Sequence, residues 1–268
     1  MPILVLARHG RSTANTGGVL AGRTPGVHLD DTGVEQARTA GRRLAGVPLA
    51  AAVTSPLERC QETAAEILGL QAYDGRTAPS PVIEDGLVEC DYGDWSGRKI
   101  SDLTGEDTWK VVQAHPSAAV FPGGEAMADM AHRAVAAVRA HDARVRDAHG
   151  DHAVWLAVSH GDVIKAILAD ALGLHLDSFQ RIMVDTASLS VIRYTATRAF
   201  VVSSNTVAGD LAHLYAPPAE GEEAAAASSD AVVGGETGAS TASPASTAST
   251  ASPASPASAP ASTSEEST

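Results

Sequence analysis

The chain has 268 residues, 44% of them hydrophobic, and a formal net charge of -13 at pH 7. This length suits one domain with a sizeable core, and the net acidity argues against a general nucleic-acid-binding protein. Two cysteines, Cys60 and Cys90, are too few for the disulfide framework of a small secreted scaffold.

The N-terminus leads directly into an apolar run, without the basic segment and long apolar stretch of a signal peptide. No run in the chain approaches the roughly 18 apolar residues of a membrane-spanning helix. We therefore expect a soluble, cytoplasmic protein that is not inserted in a membrane.

The first elements are two short strands, each followed by a helix signal. Residues Ile3–Ala7 and Leu49–Thr54 form continuous apolar runs, typical of strands buried on both faces. The stretch Thr32–Glu35 is a capping box that predicts a helix reaching about position 45. A second box, Ser55–Glu58, has proline at the first helical position and predicts a helix that stops at Gly69.

The middle of the chain is less regular and then returns to the same alternation. A helix is predicted over 100–115, and Pro122-Gly123-Gly124 breaks the chain. After this break the predicted elements are a long helix, a strand, a helix and two closing strands: 125–149, 153–159, 163–172, 189–194 and 200–203. Strands that alternate with helices predict an α/β fold, a three-layer α/β/α sandwich with a mainly parallel central sheet.

The composition changes near Ala216. Beyond this point the chain consists almost entirely of Ala, Ser, Thr, Pro, Gly and Glu, and it contains no aromatic residue, Leu, Ile or Met. Such a segment cannot bury enough apolar area to offset the entropy lost on ordering. We expect one folded domain, 1–215, and a disordered low-complexity tail, 216–268.

A cluster of reactive and polar residues follows the first strand. Arg8 offers paired donors for phosphate oxygens, and His9 is the good nucleophile of this cluster at neutral pH. Gly10 allows close approach of the backbone to a ligand, and Ser12 and Asn15 add neutral donors. An Arg-His pair alone is equally compatible with a buried structural histidine beside a surface arginine.

Three more residues favour a functional site. Arg59 falls in the first turn of the helix that follows the second strand, and His160 lies between a predicted strand and helix. Glu89 supplies a carboxylate on a loop. Because ligands of open α/β sheets bind at the carboxyl ends of the strands, we expect these residues to meet Arg8 and His9 at one edge.

The set of motifs resembles the histidine phosphatase superfamily, in its phosphoglycerate-mutase-like branch. The similarity covers roughly residues 3–205. The matching motifs are, in chain order, Arg8-His9-Gly10-x-Ser12-x-x-Asn15, Ser55-Pro56-Leu57-x-Arg59 with Thr63 and Ala64, Glu89 before Gly93-x-Trp95-x-Gly97, Pro122-Gly123-Gly124-Glu125, and Ser159-His160-Gly161.

The resemblance implies a role for each polar residue of the cluster. His9 would attack phosphorus and form a phosphohistidine, and Glu89 would protonate the leaving oxygen and then activate water. Arg8, Arg59 and His160 would hold the phosphoryl oxygens and stabilise the charge of the transition state.

Two neutral residues complete the phosphate pocket that the resemblance implies. Asn15 matches the signature asparagine near this pocket, and Ser12 is a further substrate-binding candidate. Two arginines take the place of a metal as the charge clamp. We therefore expect no metal and no other cofactor.

Four residues have roles that the sequence leaves open. Arg11 stands where the family often has Gln or Glu, and Asp162 stands where small or apolar residues are common. Each is either a solvated or helix-terminal charge or a determinant of substrate choice. Cys60 and Cys90 adjoin proposed catalytic residues and are either structural thiols or a redox switch.

The sequence favours a phosphomonoesterase whose partner is a small phosphorylated metabolite. The first alternative is a phosphoglycerate mutase with the same phosphohistidine, and the second is an inert module that binds phosphorylated ligands. Ala14 stands where the mutases usually have Trp, and no long insertion separates Trp95 from Gly123. A module that only binds has no need of a nucleophile and an acid. The oligomeric state stays open.

Overall fold

The structure, a computed structural model, describes residues 1–71 and 77–209. Within these residues, six strands form a single sheet: β1 (Ile3–Arg8), β2 (Leu49–Thr54), β3 (Val82–Ile83), β4 (Val154–Ser159), β5 (Leu189–Tyr194) and β6 (Ala199–Thr206). Their order across the sheet is β3-β2-β4-β1-β5-β6.

In the described ranges, seven α-helices surround the sheet, with short 3-10 turns between some of them. They are α1 (Thr13–Thr16), α2 (Asp31–Leu44), α3 (Glu58–Gly69), α4 (Ile100–Leu103), α5 (Asp107–Ala114), α6 (Met127–His149) and α7 (Gly161–Leu172). None of the helices in the described ranges is both long and apolar enough to span a membrane.

The sheet buries both of its faces under helices. On β1, Val5 and Ala7 pack into a cluster with residues of α2 and α3. The alternate residues, Leu4 and Leu6, belong to the larger cluster with α6 and α7 on the other face. Successive side chains of a strand point to opposite faces, so a continuous apolar run is what such a strand requires. The three-layer α/β/α sandwich is confirmed.

Strand pairing is parallel in the centre and antiparallel at one side. β4 runs parallel to both β1 and β2, and β2 runs parallel to β3. β5 and β6 close the sheet in antiparallel pairs. The register places Arg8 beside Ser159, so the carboxyl ends of β1 and β4 coincide at one edge. The residues that follow these strands therefore meet.

Both predicted helix caps are wrong. The α2 helix is capped by Asp30, whose carboxylate accepts a hydrogen bond from the Gly33 backbone at 2.8 Å, while the Thr32 hydroxyl accepts one from Arg11. α3 begins at Glu58 without a side-chain cap, and the Ser55 hydroxyl, which accepts a hydrogen bond from the Leu57 backbone at 3.4 Å, is also hydrogen-bonded to a histidine. In both cases the hydroxyl that the local pattern assigned to a cap makes a long-range contact.

Some element boundaries also differ from the prediction. The helix predicted over 100–115 is two helices, α4 and α5, separated by a turn at Gly105. The long helix predicted from 125 begins at Met127, since Ala126 pairs with Val120 in an isolated bridge. The predicted tail, 216–268, and the end of the predicted domain lie outside the described residues.

Candidate active site

Two histidines lie side by side at the carboxyl ends of β1 and β4. His9 follows Arg8, and its backbone donates a hydrogen bond to the Ser159 carbonyl at 3.0 Å. His160 follows Ser159, and the two imidazole rings meet edge to face with centroids 5.3 Å apart. The parallel register of β1 and β4 thus brings two motifs that are distant in the sequence together, with their histidine rings in contact.

The protonation of His9 is set by its surroundings. Its Nδ1 lies 2.7 Å from the Gly10 carbonyl oxygen, and since a carbonyl only accepts, Nδ1 carries the hydrogen. Burial, together with the charges of Arg59 and Arg8, holds the pKa of His9 well below its ordinary value of 6.5. His9 is therefore a neutral imidazole whose Nε2 keeps its lone pair at neutral pH.

Gly10 is required by close packing behind His9. A Cβ at this position would stand 2.3 Å from the carbonyl oxygen of Gly33, near the start of α2. The Gly10 backbone also donates to the Thr63 hydroxyl at 3.0 Å. These contacts fix the loop after β1 against α2 and α3, and with it the position of His9.

The short α1 helix presents Ser12 and Asn15 to the site. Ser12 caps the helix, and the Asn15 side-chain oxygen accepts hydrogen bonds from the Ser12 backbone at 3.0 Å and from its hydroxyl at 2.8 Å. Because the oxygen of Asn15 is engaged in this way, its amide nitrogen is the group that remains to donate toward a ligand.

Arg59 in the first turn of α3 is nearly completely buried. Its Nη2 donates to the Gly22 carbonyl at 2.8 Å and lies 3.2 Å from Nδ1 of His160. Its Nη1 is buried and has no hydrogen-bond partner among the residues that the structure describes. A buried guanidinium nitrogen without a partner is costly, and a bound anion would satisfy it.

His160 is held in the opposite tautomer to His9. A guanidinium only donates, so Nδ1 of His160 accepts from Arg59, and Nε2 carries the hydrogen and donates to the Ser55 hydroxyl at 2.7 Å. Burial and the Arg59 charge hold the pKa of His160 well below its usual value. The second histidine is therefore also neutral and is fixed on both sides.

Glu89 faces the histidines from the loop before α4. Its Oε2 lies 3.9 Å from Nδ1 of His160, and its Oε1 accepts a hydrogen bond from the Cys90 backbone at 2.9 Å. Burial and the nearby charge of Asp162 raise the pKa of Glu89 to about 7. A carboxyl group of this kind carries a proton in part of the molecules at neutral pH and can both give and take one.

Arg8 is fully buried at the end of β1. Its Nη1 donates to the Val184 carbonyl at 2.7 Å. Burial lowers the pKa of Arg8, and the charges of Glu89 and Asp185 act against that effect. Arg8 also lies close enough to His9 to depress the pKa of the imidazole. The structure thus brings together all the residues predicted for the site.

A network that sequence reasoning missed supports the loop of Glu89. Arg133 of α6 donates to the Gly86 carbonyl at 2.9 Å, the Val88 carbonyl at 2.7 Å and the Glu89 carbonyl at 3.1 Å. Glu125, the last residue of the Pro-Gly-Gly-Glu motif, binds Arg133 at 2.6 Å. Arg133 is 44 to 47 residues away from the three carbonyls that it binds, and no local pattern indicates these contacts.

Arg11 donates to the Asp30 carboxylate at 2.7 Å and to the Thr32 hydroxyl at 2.8 Å, so it stabilises the start of α2.

Cys60 and Cys90 are buried free thiols. Burial raises the pKa of Cys60 to about 12 and that of Cys90 further. These features favour structural thiols.

The site opens into a pocket of about 350 Å³, including the solvent at its mouth. Its polar wall consists of His9, Ser12, Asn15, Arg59, Glu89 and Tyr92. Its apolar wall consists of Val19, Leu20, Ala21 and Ile100. A pocket lined in this way suits a ligand with an anionic group and a short apolar or neutral remainder.

Comparison with known proteins is consistent with this geometry. Residues 4–207 match the family model of the histidine phosphatase superfamily (branch 1). The chain is 30% identical over 208 residues to phosphoserine phosphatase 1 from Hydrogenobacter thermophilus, which covers 75% of this chain and 91% of that protein. It is 32% identical over 201 residues to a 2,3-bisphosphoglycerate-dependent phosphoglycerate mutase from Methylobacterium sp. (strain 4-46), which covers 72% and 92%.

A solved structure with the same fold is YhfR from Bacillus stearothermophilus. It superposes with a TM-score of 0.68 at 27% identity, over 78% of this chain and 98% of that one. The relatives thus include both a phosphatase and a mutase, and the choice between these two activities depends on the site.

Proposed function

Since the chain belongs to the histidine phosphatase superfamily and is a histidine-dependent phosphatase, we propose that it hydrolyses a small phosphorylated metabolite through a phosphohistidine on His9. The observation that carries this proposal is one shared pocket. A neutral His9, a buried Arg59 with an unsatisfied nitrogen, and a Glu89 with a pKa of about 7 all line it. In this proposal His9 is the nucleophile, Arg59 binds the anion and Glu89 is the acid.

The first step transfers the phosphoryl group to the protein. Nε2 of His9 attacks phosphorus in line while the bond from phosphorus to the ester oxygen breaks, and Glu89 gives its proton to that oxygen. Arg8 and Arg59 donate to the other phosphoryl oxygens, where negative charge is spread in the transition state. His160, which the sequence led us to expect in the same role, has its Nδ1 engaged by Arg59 and its Nε2 hydrogen engaged by Ser55, so it orients Arg59 instead. The preset tautomer of His9 avoids a proton transfer before the attack.

The second step returns the site to its starting state. Glu89, now ionised, accepts a proton from water, and the resulting hydroxide attacks phosphorus as the bond to Nε2 of His9 breaks. Phosphate leaves and Glu89 is protonated again. A residue that serves as acid and then as base needs a pKa near the working pH. The pKa of Glu89, about 7, meets this requirement at neutral pH.

The charge of the pocket favours hydrolysis over a mutase reaction. Among the described residues, the cations available to the transferred phosphoryl group are Arg59 in the pocket lining and the buried Arg8, and no other lining residue is cationic. A bisphosphoglycerate carries two phosphates and a carboxylate, and holding it calls for several more cations. Val19, Leu20 and Ile100 line the wall instead. We therefore propose a monoester with a short, weakly charged alcohol as the substrate class.

The decisive experiment compares His9→Ala with the wild type on a panel of phosphate monoesters. Phosphate release is expected to fall by at least about 1,000-fold, and an acid-labile, base-stable phosphoenzyme is expected in the wild type alone. His132→Ala, at an exposed position of α6, is the matched control and is expected to behave as the wild type. Turnover by His9→Ala close to the wild-type rate would rule out the nucleophile.

The mutase alternative is tested with 3-phosphoglycerate, with and without 2,3-bisphosphoglycerate. We expect free phosphate, no dependence on the bisphosphate and little 2-phosphoglycerate. Efficient isomerisation that depends on the bisphosphate and releases no phosphate would establish a mutase instead.

A further inference from the structure

The turn that precedes β5, residues 184–188, binds the backbone of the nucleophile and the guanidinium of its neighbour. The Ala187 backbone donates a hydrogen bond to the His9 carbonyl at 3.1 Å. The Arg8 backbone donates to the Ser188 carbonyl at 3.2 Å. Nη1 of Arg8 donates to the carbonyl of Val184, at the other end of the turn, at 2.7 Å. The positions of Arg8 and His9 therefore depend on the shape of the 184–188 turn.

The 184–188 turn contains a strained residue. Ala187 has a φ of 54°, in the left-handed region that residues with a Cβ rarely adopt. Such a backbone conformation persists only where the surrounding contacts hold it in place. One contact is internal, from the Ser188 backbone to the Asp185 carbonyl at 3.1 Å. Further contacts come from β6.

A β-bulge in β6 carries the residue that makes these contacts, Asn205. Leu189 of β5 pairs with Thr206, whereas Val191 pairs with Ser203. Over this stretch β6 therefore has one residue more than β5, and Asn205 lies in the bulge with a φ of 50°. Bulges are common next to active sites, where they redirect a side chain.

The carboxamide of Asn205 binds Asp185 in the turn with both of its polar atoms. Its Oδ1 accepts a hydrogen bond from the Asp185 backbone at 2.6 Å, and its Nδ2 donates to Oδ2 of Asp185 at 2.9 Å. The Asn205 backbone donates to the Ser190 hydroxyl at 3.0 Å, which fixes the bulge against β5. Asp185 directly follows Val184, whose carbonyl binds Arg8.

We propose that Asn205 is a positioning residue for Arg8 and His9, because it fixes the 184–188 turn through Asp185. This inference rests on the proposed function, in which Arg8 donates to the phosphoryl group and His9 attacks it. An acid acts on the leaving oxygen and matters most for a poor leaving group. Arg8 and His9 act on the phosphoryl group, which all esters share. Loss of the Asn205 contacts should therefore slow good and poor leaving groups alike.

The experiment is Asn205→Gly, since glycine adopts the left-handed conformation freely and only the carboxamide is lost. The measurements are kcat for glycerol 2-phosphate and for p-nitrophenyl phosphate, and inhibition by vanadate, which mimics the five-coordinate phosphorus of the transition state. One control, Ser204→Gly, brings a glycine to the adjacent, exposed position of β6. The other, Arg43→Ala, removes two hydrogen bonds to Thr206, at 2.7 and 2.8 Å, and weakens the same end of β6.

We expect Asn205→Gly to lower kcat for both esters by roughly 10- to 100-fold, because a small misplacement of reacting groups is costly. Vanadate inhibition is expected to weaken by a similar factor. Both controls are expected to keep the wild-type kcat, even where their melting temperature falls. Asn205→Asp sets two carboxylates against each other and should also be slow. Combined with Asp185→Asn, it exchanges amide and carboxylate, and most of the lost turnover should return.

An Asn205→Gly protein with a lower melting temperature but wild-type kcat and vanadate inhibition would overturn the inference, since Asn205 would then serve stability alone. A loss confined to glycerol 2-phosphate would overturn it too, because the effect would then lie at Glu89. If Asn205→Gly does not fold, Asp185→Ala tests the same pair by the same criteria. Where His9→Ala is inactive and Asn205→Gly matches the wild type, only the role of Asn205 fails. An active His9→Ala removes the proposed function itself.

Discussion

The carbonyl oxygen of Gly10 lies 2.7 Å from Nδ1 of the neighbouring His9, and this contact leaves Nε2 as the nitrogen with the lone pair. The pKa of His9 is held well below 6.5 by burial and by Arg59. The imidazole therefore stays neutral in mildly acidic solution. We expect the acidic limb of kcat/KM, corrected for ionisation of the substrate, to lie well below pH 6.5. A limb centred at the value of an exposed histidine would contradict this.

Stability should depend on pH in the same range. His9 and His160 both have pKa values well below 6.5 in the folded protein, so the unfolded chain binds more protons as the pH falls through 6.5. Each of these histidines lowers the free energy of unfolding as the pH falls from 7 to 5, whereas the raised pKa of Glu89 acts in the opposite direction over the same range. In urea titrations at several pH values, the free energy of unfolding of His9→Gln should fall less between pH 7 and pH 5 than that of the wild type. The exposed His132→Gln should show the same pH dependence as the wild type.

Glu89→Gln separates the chemical role of this residue from a structural one. Gln cannot give a proton, so hydrolysis of an alkyl phosphate is expected to fall by about 100-fold or more, and that of p-nitrophenyl phosphate far less. The measurement is kcat for both esters at neutral pH. Equal losses on the two esters would indicate that Glu89 acts only through the structure.

Arg133 should act on catalysis through the Glu89 loop. Arg133→Ala removes donors to the carbonyls of Gly86, Val88 and Glu89. We expect alkyl phosphates to be affected more strongly than p-nitrophenyl phosphate, because the acid is misplaced while the nucleophile is not. Arg139→Ala is the control on the same helix, since Arg139 is more exposed and pairs with Asp170. Similar profiles for the two variants would contradict a positioning role.

Gly10→Ala tests the close packing behind the nucleophile. The added methyl group would stand 2.3 Å from the Gly33 carbonyl oxygen, so backbone must shift. We expect a loss of about 1–3 kcal/mol in the free energy of unfolding together with a loss of turnover. Gly46→Ala, where an added Cβ meets nothing within 4 Å, is the control. A Gly10→Ala protein as stable and active as this control would refute the packing argument.

The sequence predicts which residues meet at the sheet edge better than it predicts the local structure around them. Residues after strand ends, such as His9 and His160, could be placed together because parallel strands share an edge. The cap at Thr32 could not be predicted correctly, since Arg11 takes its hydroxyl through a contact across the fold. The hydrogen bond from Arg133 to the Glu89 carbonyl could not be predicted from the sequence either, because only the folded chain brings the two residues together.

The two buried thiols give the protein a chemical profile that differs from that of cysteine-dependent phosphatases. With a pKa of about 12, Cys60 is almost never a thiolate near neutral pH, and the pKa of Cys90 is higher still. Alkylating reagents and peroxide react with thiolates that they can reach. Cys60 Sγ lies only 3.4 Å from Nε2 of His160. Even so, iodoacetamide should not modify the folded protein. The protein should also stay active under oxidising conditions that inactivate enzymes with a catalytic thiol.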